Sequence, residues 1–158
     1  MTSYSFTKRK RLLNPRDYST VFGQKAIKVS SRQFLLLATP LLAEHLYNPN
    51  CKKTGLSPEE YAKEAESIGR LGLVIAKKHV PTAVARNQIK RVARERFRLN
   101  QHQLKSLNIV VLSKVGAGKL SKAELHIMFT QLFEQLSSRA DKLLRKQKQH
   151  SSQNTDNN

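Results

Sequence analysis

Acidic side chains are scarce in this chain of 158 residues, in which 11 aspartates and glutamates stand against 29 lysines and arginines. The formal net charge is therefore +18 at pH 7, well beyond what solubility requires. Such an excess predicts a polyanionic partner, either RNA or DNA, with an anionic membrane surface as the weaker alternative. The sequence also lacks the carboxylate cluster that a protein-based two-metal nuclease needs, which disfavours an autonomous nuclease.

Cysteine and long apolar runs are also scarce. Cys51 stands alone, which leaves no disulfide framework and no thiolate metal cluster and fits a reducing cytoplasm. The first residues, MTSYSFTKRKRLL, contain no apolar run suited to a signal peptide, and no stretch approaches the ~20 apolar residues of a membrane span. The five histidines share no metal-ligand spacing. We therefore expect a soluble cytoplasmic protein that has no membrane partner and binds no cofactor by itself.

The few acids are concentrated in one segment, which we interpret as an insertion. Residues 43–68 carry five acidic and three basic side chains, whereas residues 1–42 and 69–119 carry eight and twelve basic side chains with one acid each. Within the insertion, SPEE at 57–60 has the S-x-x-E capping-box pattern with proline at the first helical position. This pattern predicts a small acidic helix over 58–66 and leaves two cationic blocks to form a binding surface.

Apolar periodicity and end signals predict three further helices and three strands. The helices are a short one that begins at Asn14-Pro15 and ends at Gly23, a basic one over 82–99, and an amphipathic one that opens at Ser121. The strands cover 32–38, 71–76 and 109–112. From about residue 146 the chain is polar, so we expect a single domain over 1–145 and a disordered tail over 146–158. The order α-β-β-α-β-α predicts an α/β (α+β) two-layer sandwich, in which helices pack on a small mixed sheet.

The basic helix carries the strongest functional pattern. Residues 86–98 read RNQIKRVARERFR and contain one acid, Glu95, against six basic side chains: Arg86, Lys90, Arg91, Arg94, Arg96 and Arg98. At about 100° per residue, most of these cations fall on one broad stripe, and Asn87 lies close to it. The other side has the spacing of a core-facing stripe and holds Ile89, Val92, Ala93 and Phe97. The cationic side suits a phosphate backbone, and a solvated charged face is the alternative.

The same region resembles the family of bacterial ribonuclease P protein subunits. The resemblance rests on LGLVIAKK at 71–78, on the pattern AVxRNxIKRxxRExFR at 83–98, and on Arg11-Leu12 followed by DYxxVF at 17–22. It covers residues 6–42 and 69–137, which is most of the chain that we expect to fold. The insertion and the tail lie outside it.

This resemblance implies a fold and a function that composition and spacing do not show. The family fold is an α/β sandwich whose basic helix lies in a left-handed β-α-β crossover, against the general preference for right-handed crossovers. The family's protein is the minor component of a ribonucleoprotein that removes the 5′ leader from precursor tRNA. The RNA subunit would hydrolyse the phosphodiester with divalent metal (Mg²⁺), while the protein, a monomer present once per RNA, would improve the affinity for substrate and metal.

The resemblance also implies two sets of binding residues. The set expected to meet the RNA subunit is Lys77, Lys78, Arg86, Asn87, Gln88, Lys90, Arg91, Arg94 and Arg98. The set expected to line a cleft for the single-stranded leader is Tyr18, Phe22, Arg32, Phe34 and Leu37. Two positions depart from the family pattern, because Gln88 stands where an arginine is usual and Leu37 stands where some members have an aromatic. Aromatic stacking beside cations suits a leader without fixed sequence.

Some of these residues have a second interpretation. Tyr18 and Phe22, at i and i+4, are explained equally well as core residues of the first helix. Glu95 is expected to pair with Arg91 or Arg98, at i−4 and i+3, and so to orient them.

Two functional alternatives come from composition and from a glycine-rich segment. GAGK at 116–119 lacks the first glycine and the Ser or Thr of a P-loop, so we expect a flexible turn there. Composition alone would also fit a non-catalytic basic RNA-binding structural protein, such as a ribosomal protein or an assembly factor. Cleavage of precursor tRNA in the presence of a catalytic RNA would separate that class from a ribonuclease P subunit.

Overall fold

The computed structural model describes residues 10–12, 15–23, 26–41 and 57–155. The helices in these ranges are α1 (Pro15–Gly23), α2 (Pro58–Ser67), α3 (Ala83–Asn100) and α4 (Lys122–Thr155). The strands are β1 (Ile27–Ser30), β2 (Phe34–Pro40), β3 (Arg70–Val74) and β4 (Leu107–Ser113), and a 3-10 turn over Ala117–Lys119 precedes α4. None of the helices in the described part of the chain has the length and apolar character of a membrane span.

The strands form one mixed sheet in the order β1-β2-β4-β3. β2 is antiparallel to β1 and to β4, whereas β3 and β4 are parallel and are joined through α3. A segment before α1 extends the β3 edge, since Arg11 bridges to Leu71 and the Leu12 N–H donates to the Leu71 carbonyl at 3.0 Å. This arrangement confirms the predicted sandwich of helices on a small mixed sheet. The left-handedness of the β3–α3–β4 crossover stays a prediction.

β1 is a strand that the sequence analysis does not predict. Its four residues contain only two apolar side chains, Ile27 and Val29, which is too short an alternation to stand out from its surroundings. Pairing with β2 makes it a strand, because Val29 lies opposite Leu36 and is fully buried. The described sheet therefore has four strands instead of the three expected.

The main core lies between one face of the sheet and the two long helices, α3 and α4. Aromatic rings fill its centre. Phe34 of β2 lies 4.7 Å from Phe129 of α4 between ring centroids, and Phe133 lies 6.1 Å from both Phe129 and Phe97 of α3. Burial of one phenylalanine side chain contributes about 1.5–3 kcal/mol. This cluster therefore fixes the positions of both helices on the sheet.

α1 covers part of the opposite face of the sheet. Val21 packs there with Leu12, Leu37 and Val110, and Tyr18 lies against the same cluster. Because successive side chains of a strand point to opposite faces, the sheet separates this small cluster from the main core. The molecule thus has two distinct faces, one under α3 and α4 and one under α1.

Capping contacts begin three of the helices as the sequence indicates. The Thr82 Oγ1 accepts from the backbone N–H three residues on, at 3.3 Å, and so begins α3. Ser57 and Glu60 exchange side-chain-to-backbone hydrogen bonds of 2.9 and 3.3 Å at the start of α2, which is a complete capping box. The Ser121 Oγ accepts from the Glu124 N–H at 3.2 Å at the start of α4.

The two ends of the insertion meet at a single residue, Ser106, between α3 and β4. The Leu41 N–H donates to the Ser106 carbonyl at 2.7 Å, and the Ser106 N–H donates to the Ile68 carbonyl at 2.8 Å. Ser106 has a left-handed backbone conformation with φ of 61°, which is uncommon for residues other than glycine. α2, predicted over 58–66, lies within the insertion as an acidic helix. The insertion is therefore closed at its base, at the end of the sheet where β2 finishes and β3 begins.

α4 is longer than the sequence analysis predicts. It continues to Thr155, whereas the polar composition from about residue 146 predicts disorder. Ala140 is its last residue with a buried side chain among those described. Residues 142–149 are rich in lysine, leucine, arginine and glutamine, whose helix propensity favours the extension, whereas no local preference explains its continuation over 150–155. Asn14, the predicted cap of α1, and residues 156–158 lie outside the described residues.

Ending the chain after Lys146 is expected to leave the fold intact, because no apolar residue follows this position. The thermal midpoint measured by circular dichroism should change by less than about 2 °C. Phe129→Ala is the matched destabilising control and should cost about 3–5 kcal/mol. A fall in the midpoint as large as that of the control would show that residues 147–158 contribute to packing.

Candidate RNA interface

α3 turns its basic side outward because its apolar side is fixed in the core. Its buried residues are the four that the sequence predicts: Ile89, Val92, Ala93 and Phe97. The outward residues are Asn87, Arg91 and Arg94, which are exposed, and Gln88, Lys90 and Arg98, which are partly exposed. Lys77 and Lys78 lie exposed in the turn between β3 and α3. We call these eight residues the basic face, and the structure leaves their polar groups accessible to a ligand.

Arg86 differs from the rest of the predicted RNA-subunit set because it also stabilises the turn before α3. Its Nη1 donates to the carbonyls of Val80 and Pro81, both at 2.9 Å. The guanidinium is thereby held at the first turn of the helix and is only partly exposed. Loss of Arg86 would therefore disturb the turn as well as remove a cation, so its contact with RNA stays a prediction.

Arg94 connects the basic face to the N-terminal segment. Burial and the guanidinium of Arg11 lower the pKa of Arg94, and the hydroxyl of Tyr18 acts in the opposite direction. Arginine remains protonated in spite of this shift. The positive charge of Arg11 therefore acts on Arg94, and an anion that bound beside the two groups would reduce this repulsion. A phosphate group beside Arg11 and Arg94 would be favoured for this reason.

Tyr18 lies directly over Gly72 on the α1 face of the sheet. A Cβ atom at position 72 would be 2.7–2.8 Å from three atoms of the tyrosine side chain, so only glycine permits this approach. Tyr18 is partly buried, whereas Phe22, one turn further along α1, is 50% exposed. Tyr18 therefore packs on the sheet, as its interpretation as a core residue requires. Phe22 is open to a ligand, as its interpretation as a leader contact requires.

The remaining predicted leader residues do not lie together. Phe34 has no exposed surface and packs on Phe129 in the main core, which removes it from the leader-binding set. It is three residues from Leu37 in the same strand, so the two side chains point to opposite faces. Leu37 faces α1 but is only 8% exposed, because it packs with Val21. Arg32 is exposed in the turn between β1 and β2, at the end of the sheet.

A contact between α3 and α4 was not visible in the sequence. The Arg96 Nε donates to the Nδ1 of His126 at 2.9 Å, and the Nε2 of His126 lies 4.0 Å from a carboxylate oxygen of Glu95. The expected pairing of Glu95 with Arg91 or Arg98 is replaced by this interhelical contact. Side chains on two helices 30 residues apart carry no local signal of such pairing. Arg96 is thereby directed toward α4 and away from the basic face.

Neither metal binding nor a phosphate loop finds support in the described ranges. The described residues contain no group of three or more His, Cys, Asp or Glu side chains that could hold a metal ion. GAGK at 116–119 is a turn, as predicted, in which Gly116 has φ of 91° and the next three residues form the 3-10 turn. The chemistry that this surface offers is therefore positive charge together with one exposed aromatic side chain.

Taken together, the fold and the site define a small α/β protein with an accessible cationic face of the kind that suits RNA. The sequence model of the family described as Ribonuclease P matches residues 6–137. The chain belongs to this family, whose members are protein subunits of the endoribonuclease that processes precursor tRNA. It is 40% identical over 140 residues to the ribonuclease P protein component of Saccharophagus degradans, which covers 89% of this chain and 87% of that protein.

Solved structures of the ribonuclease P protein from Staphylococcus aureus have the same fold. One has a TM-score of 0.58 at 21% identity and covers 79% of this chain and 93% of that chain. A second has a TM-score of 0.51 at 21% identity and covers 82% of this chain and 95% of that chain. These matches confirm the α/β architecture that the sequence predicts.

Replacing Lys90 and Arg91 together by alanine is expected to weaken binding to ribonuclease P RNA without unfolding the domain, because both lie off the buried side of α3. Each lost phosphate contact should reduce the slope of log Kd against log salt by about one unit. Lys63→Ala/Lys105→Ala is the matched control. Both lysines are exposed and lie outside the basic face, and their replacement removes the same charge. Equal salt slopes in the two folded variants would remove this part of α3 from the interface.

Phe22→Ala is expected to weaken binding of precursor tRNA and to spare mature tRNA, because only the precursor has a leader to stack. A stacking contribution of ~1–3 kcal/mol per base corresponds to a loss of about tenfold or more. Tyr18→Ala should in addition lower the thermal midpoint, because the Tyr18 ring is packed over Gly72. Equal losses for both RNAs with Phe22→Ala would contradict the leader assignment.

Proposed function

We propose that this chain binds the RNA subunit of ribonuclease P through the basic face and holds the 5′ leader of precursor tRNA beside α1. The observation that carries the proposal is the position of α3. Its apolar side is buried, its opposite side is cationic, and Arg94 on that side lies near Arg11 and Tyr18. A surface for one RNA thus adjoins a surface for another. This arrangement favours a role in which the protein brings two polyanions together.

The leader is proposed to run along the α1 face, with Phe22 as its stacking partner. The exposed ring can accept any base, since stacking does not depend on the pattern of hydrogen-bonding groups. Tyr18 supports this surface from its seat over Gly72 and places its hydroxyl near Arg94. Arg11 and Arg94 would neutralise leader phosphates that pass between them. Leu37 contributes to the apolar layer beneath α1, in place of an aromatic stacking group.

Hydrolysis of the phosphodiester is proposed to belong to the RNA subunit. The holoenzyme is expected to use Mg²⁺ to activate water and to stabilise the leaving oxygen. The donor groups of the described residues do not fit such a metal, because no cluster of three or more ligands occurs among them. The side chains of this chain therefore bind and orient RNA. Their positive charge reduces repulsion between the RNA subunit and the precursor and so lowers the cation concentration needed for assembly.

We further propose that one protein monomer acts with each RNA and that the complex is cytoplasmic. A single cationic face on α3 provides one set of phosphate contacts per chain. The lone Cys51 fits a reducing compartment, in which disulfides are rare. Sedimentation of the complex with a defined RNA would measure the stoichiometry directly.

The protein alone should show no cleavage of precursor tRNA, whereas its addition should stimulate a ribonuclease P RNA most at low Mg²⁺ and moderate salt. High Mg²⁺ should reduce the benefit, because the metal itself then screens the repulsion between the two RNAs. Initial rates measured across a Mg²⁺ titration, with and without protein, test this expectation.

Two results would contradict the proposed function. Binding to the RNA without any stimulation of cleavage would favour a purely structural RNA-binding role. Metal-dependent cleavage by protein free of RNA, abolished by one Asp or Glu substitution, would place the chemistry on the protein.

A further inference from the structure

One end of the sheet gathers three connecting segments of the chain. The register pairs Phe34 with Ser113 and Leu112 with Val74, so the start of β2, the end of β4 and the end of β3 lie at the same end. The turn after β1 is there as well, because Ser30 pairs with Leu35. The segments that leave this end are the β1–β2 turn, the turn from β3 into α3, and the stretch from β4 to α4.

Hydrogen bonds and packing hold these segments together. The Ala76 N–H donates to the Ser113 Oγ at 3.0 Å, which joins the ends of β3 and β4. The Lys114 N–H donates to the Gln33 carbonyl at 2.8 Å, which joins the β1–β2 turn to the same place. A Cβ atom at Gly118 would lie 3.3 Å from a methyl carbon of Val80, so the 3-10 turn packs against the turn that leads into α3. The lysines of these turns therefore share one surface.

Every charged side chain in these segments is positive. Residues 26–41, 70–94 and 107–123 contain no aspartate or glutamate. Lys77, Lys78, Lys119 and Lys122 are exposed, as is Arg32. The ammonium group of Lys114 is engaged in hydrogen bonds within the protein, since its Nζ donates to the Ser30 Oγ at 2.6 Å and to the Ser31 carbonyl at 2.8 Å. The nearest acid in sequence, Glu124, lies about 200° around α4 from Lys122 and does not face it.

The opposite end of the sheet is connected to exposed acids. The insertion is closed there by the two hydrogen bonds to Ser106. α2 within it exposes Glu59, Glu60 and Glu66. Three exposed acids are thus connected to this end of the sheet, whereas the segments named above at the other end carry only cations. A polyanion that approaches the domain is attracted to the cationic end and repelled from the acidic one.

We propose that the surface for ribonuclease P RNA extends beyond the basic face onto this end of the sheet and includes Lys119 and Lys122. The inference rests on the proposed function, because it takes the RNA subunit as the ligand. Lys77 and Lys78 belong to both surfaces, and the packing of Gly118 on Val80 makes the surfaces continuous. α3 alone offers about 18 Å of contact between Arg86 and Arg98 at 1.5 Å per residue. The two lysines lengthen that contact along the RNA backbone.

The RNA subunit fits this surface better than the leader does. The exposed aromatic that suits an unpaired leader, Phe22, lies on α1. Lys119 instead ends the 3-10 turn and Lys122 begins α4, and neither has an aromatic partner among the residues that the structure describes. Lysine side chains without aromatic partners suit the phosphates of a structured RNA and read no sequence.

The test is a comparison of two charge-matched variants of the full chain. Lys119→Gln/Lys122→Gln removes two charges from the cationic end, and Lys63→Gln/Lys105→Gln removes two exposed charges from outside it. Direct binding to ribonuclease P RNA, without precursor tRNA, is measured over a range of salt concentrations, and circular dichroism checks that both variants fold. The first variant should bind about tenfold more weakly at low salt and lose about 1–2 units of salt slope, while the control should match the wild type.

Each remaining outcome has a definite meaning. Equal affinity and slope for the two variants would overturn the proposal, since net charge alone would then explain any change. Normal binding to the RNA subunit with weaker binding of precursor tRNA to the assembled holoenzyme would also overturn it and would assign the lysines to the substrate. Failure of the wild-type chain to bind ribonuclease P RNA would instead refute the proposed function, and the two failures are thereby distinguished.

Discussion

The packing of Phe97, Phe129 and Phe133 between α3, α4 and the sheet is the interaction on which the rest of the molecule depends. A chain with a net charge of +18 repels itself, and compact folding requires apolar burial that outweighs this repulsion. The aromatic cluster provides that burial on one side of α3 only. The cations of α3 are then held outward on a rigid support, which reduces the entropy lost when they bind an RNA.

The sheet separates the two proposed binding surfaces. Tyr18 and Phe22 belong to α1 on one face, whereas α3 packs on the other. The segment over 10–12 runs along the β3 edge, where Arg11 bridges to Leu71, and the charge of Arg11 acts on Arg94 of α3. The two surfaces therefore meet around the β3 edge, next to the glycine that admits the Tyr18 ring.

Local patterns predicted the parts of the structure that local forces determine. The buried side of α3 and the capping contacts at Thr82, Ser57 and Ser121 are confirmed because periodicity and capping act within a few residues. β1 was missed because its two apolar residues become a strand only through pairing with β2. The extension of α4 was missed because the polar composition after residue 146 leaves nothing to bury, and only residues 142–149 carry a helix propensity that favours it.

For the candidate site, the sequence predicted the outward residues of α3 but not the positions of the aromatic residues. The outward residues of α3 followed directly from the helical period. Phe34 was misplaced because the resemblance indicated a strand near the leader without indicating which face each residue takes. The seat of Tyr18 on Gly72 and the contact of Arg96 with His126 join elements distant in sequence, so no local pattern reports them.

The closure of the insertion at Ser106 has a consequence for how the chain tolerates change. Once Leu41 and Ile68 are held at one residue, the entropy of closing the intervening loop depends only weakly on its length, at about 0.6 kcal/mol for each doubling. Segments of different length can therefore be accommodated between these two residues while the sheet keeps its register. The base of the insertion lies at the end of the sheet opposite to Lys77 and Lys119. It is consequently a suitable position at which to graft a fluorescent or affinity domain onto an assembled ribonucleoprotein.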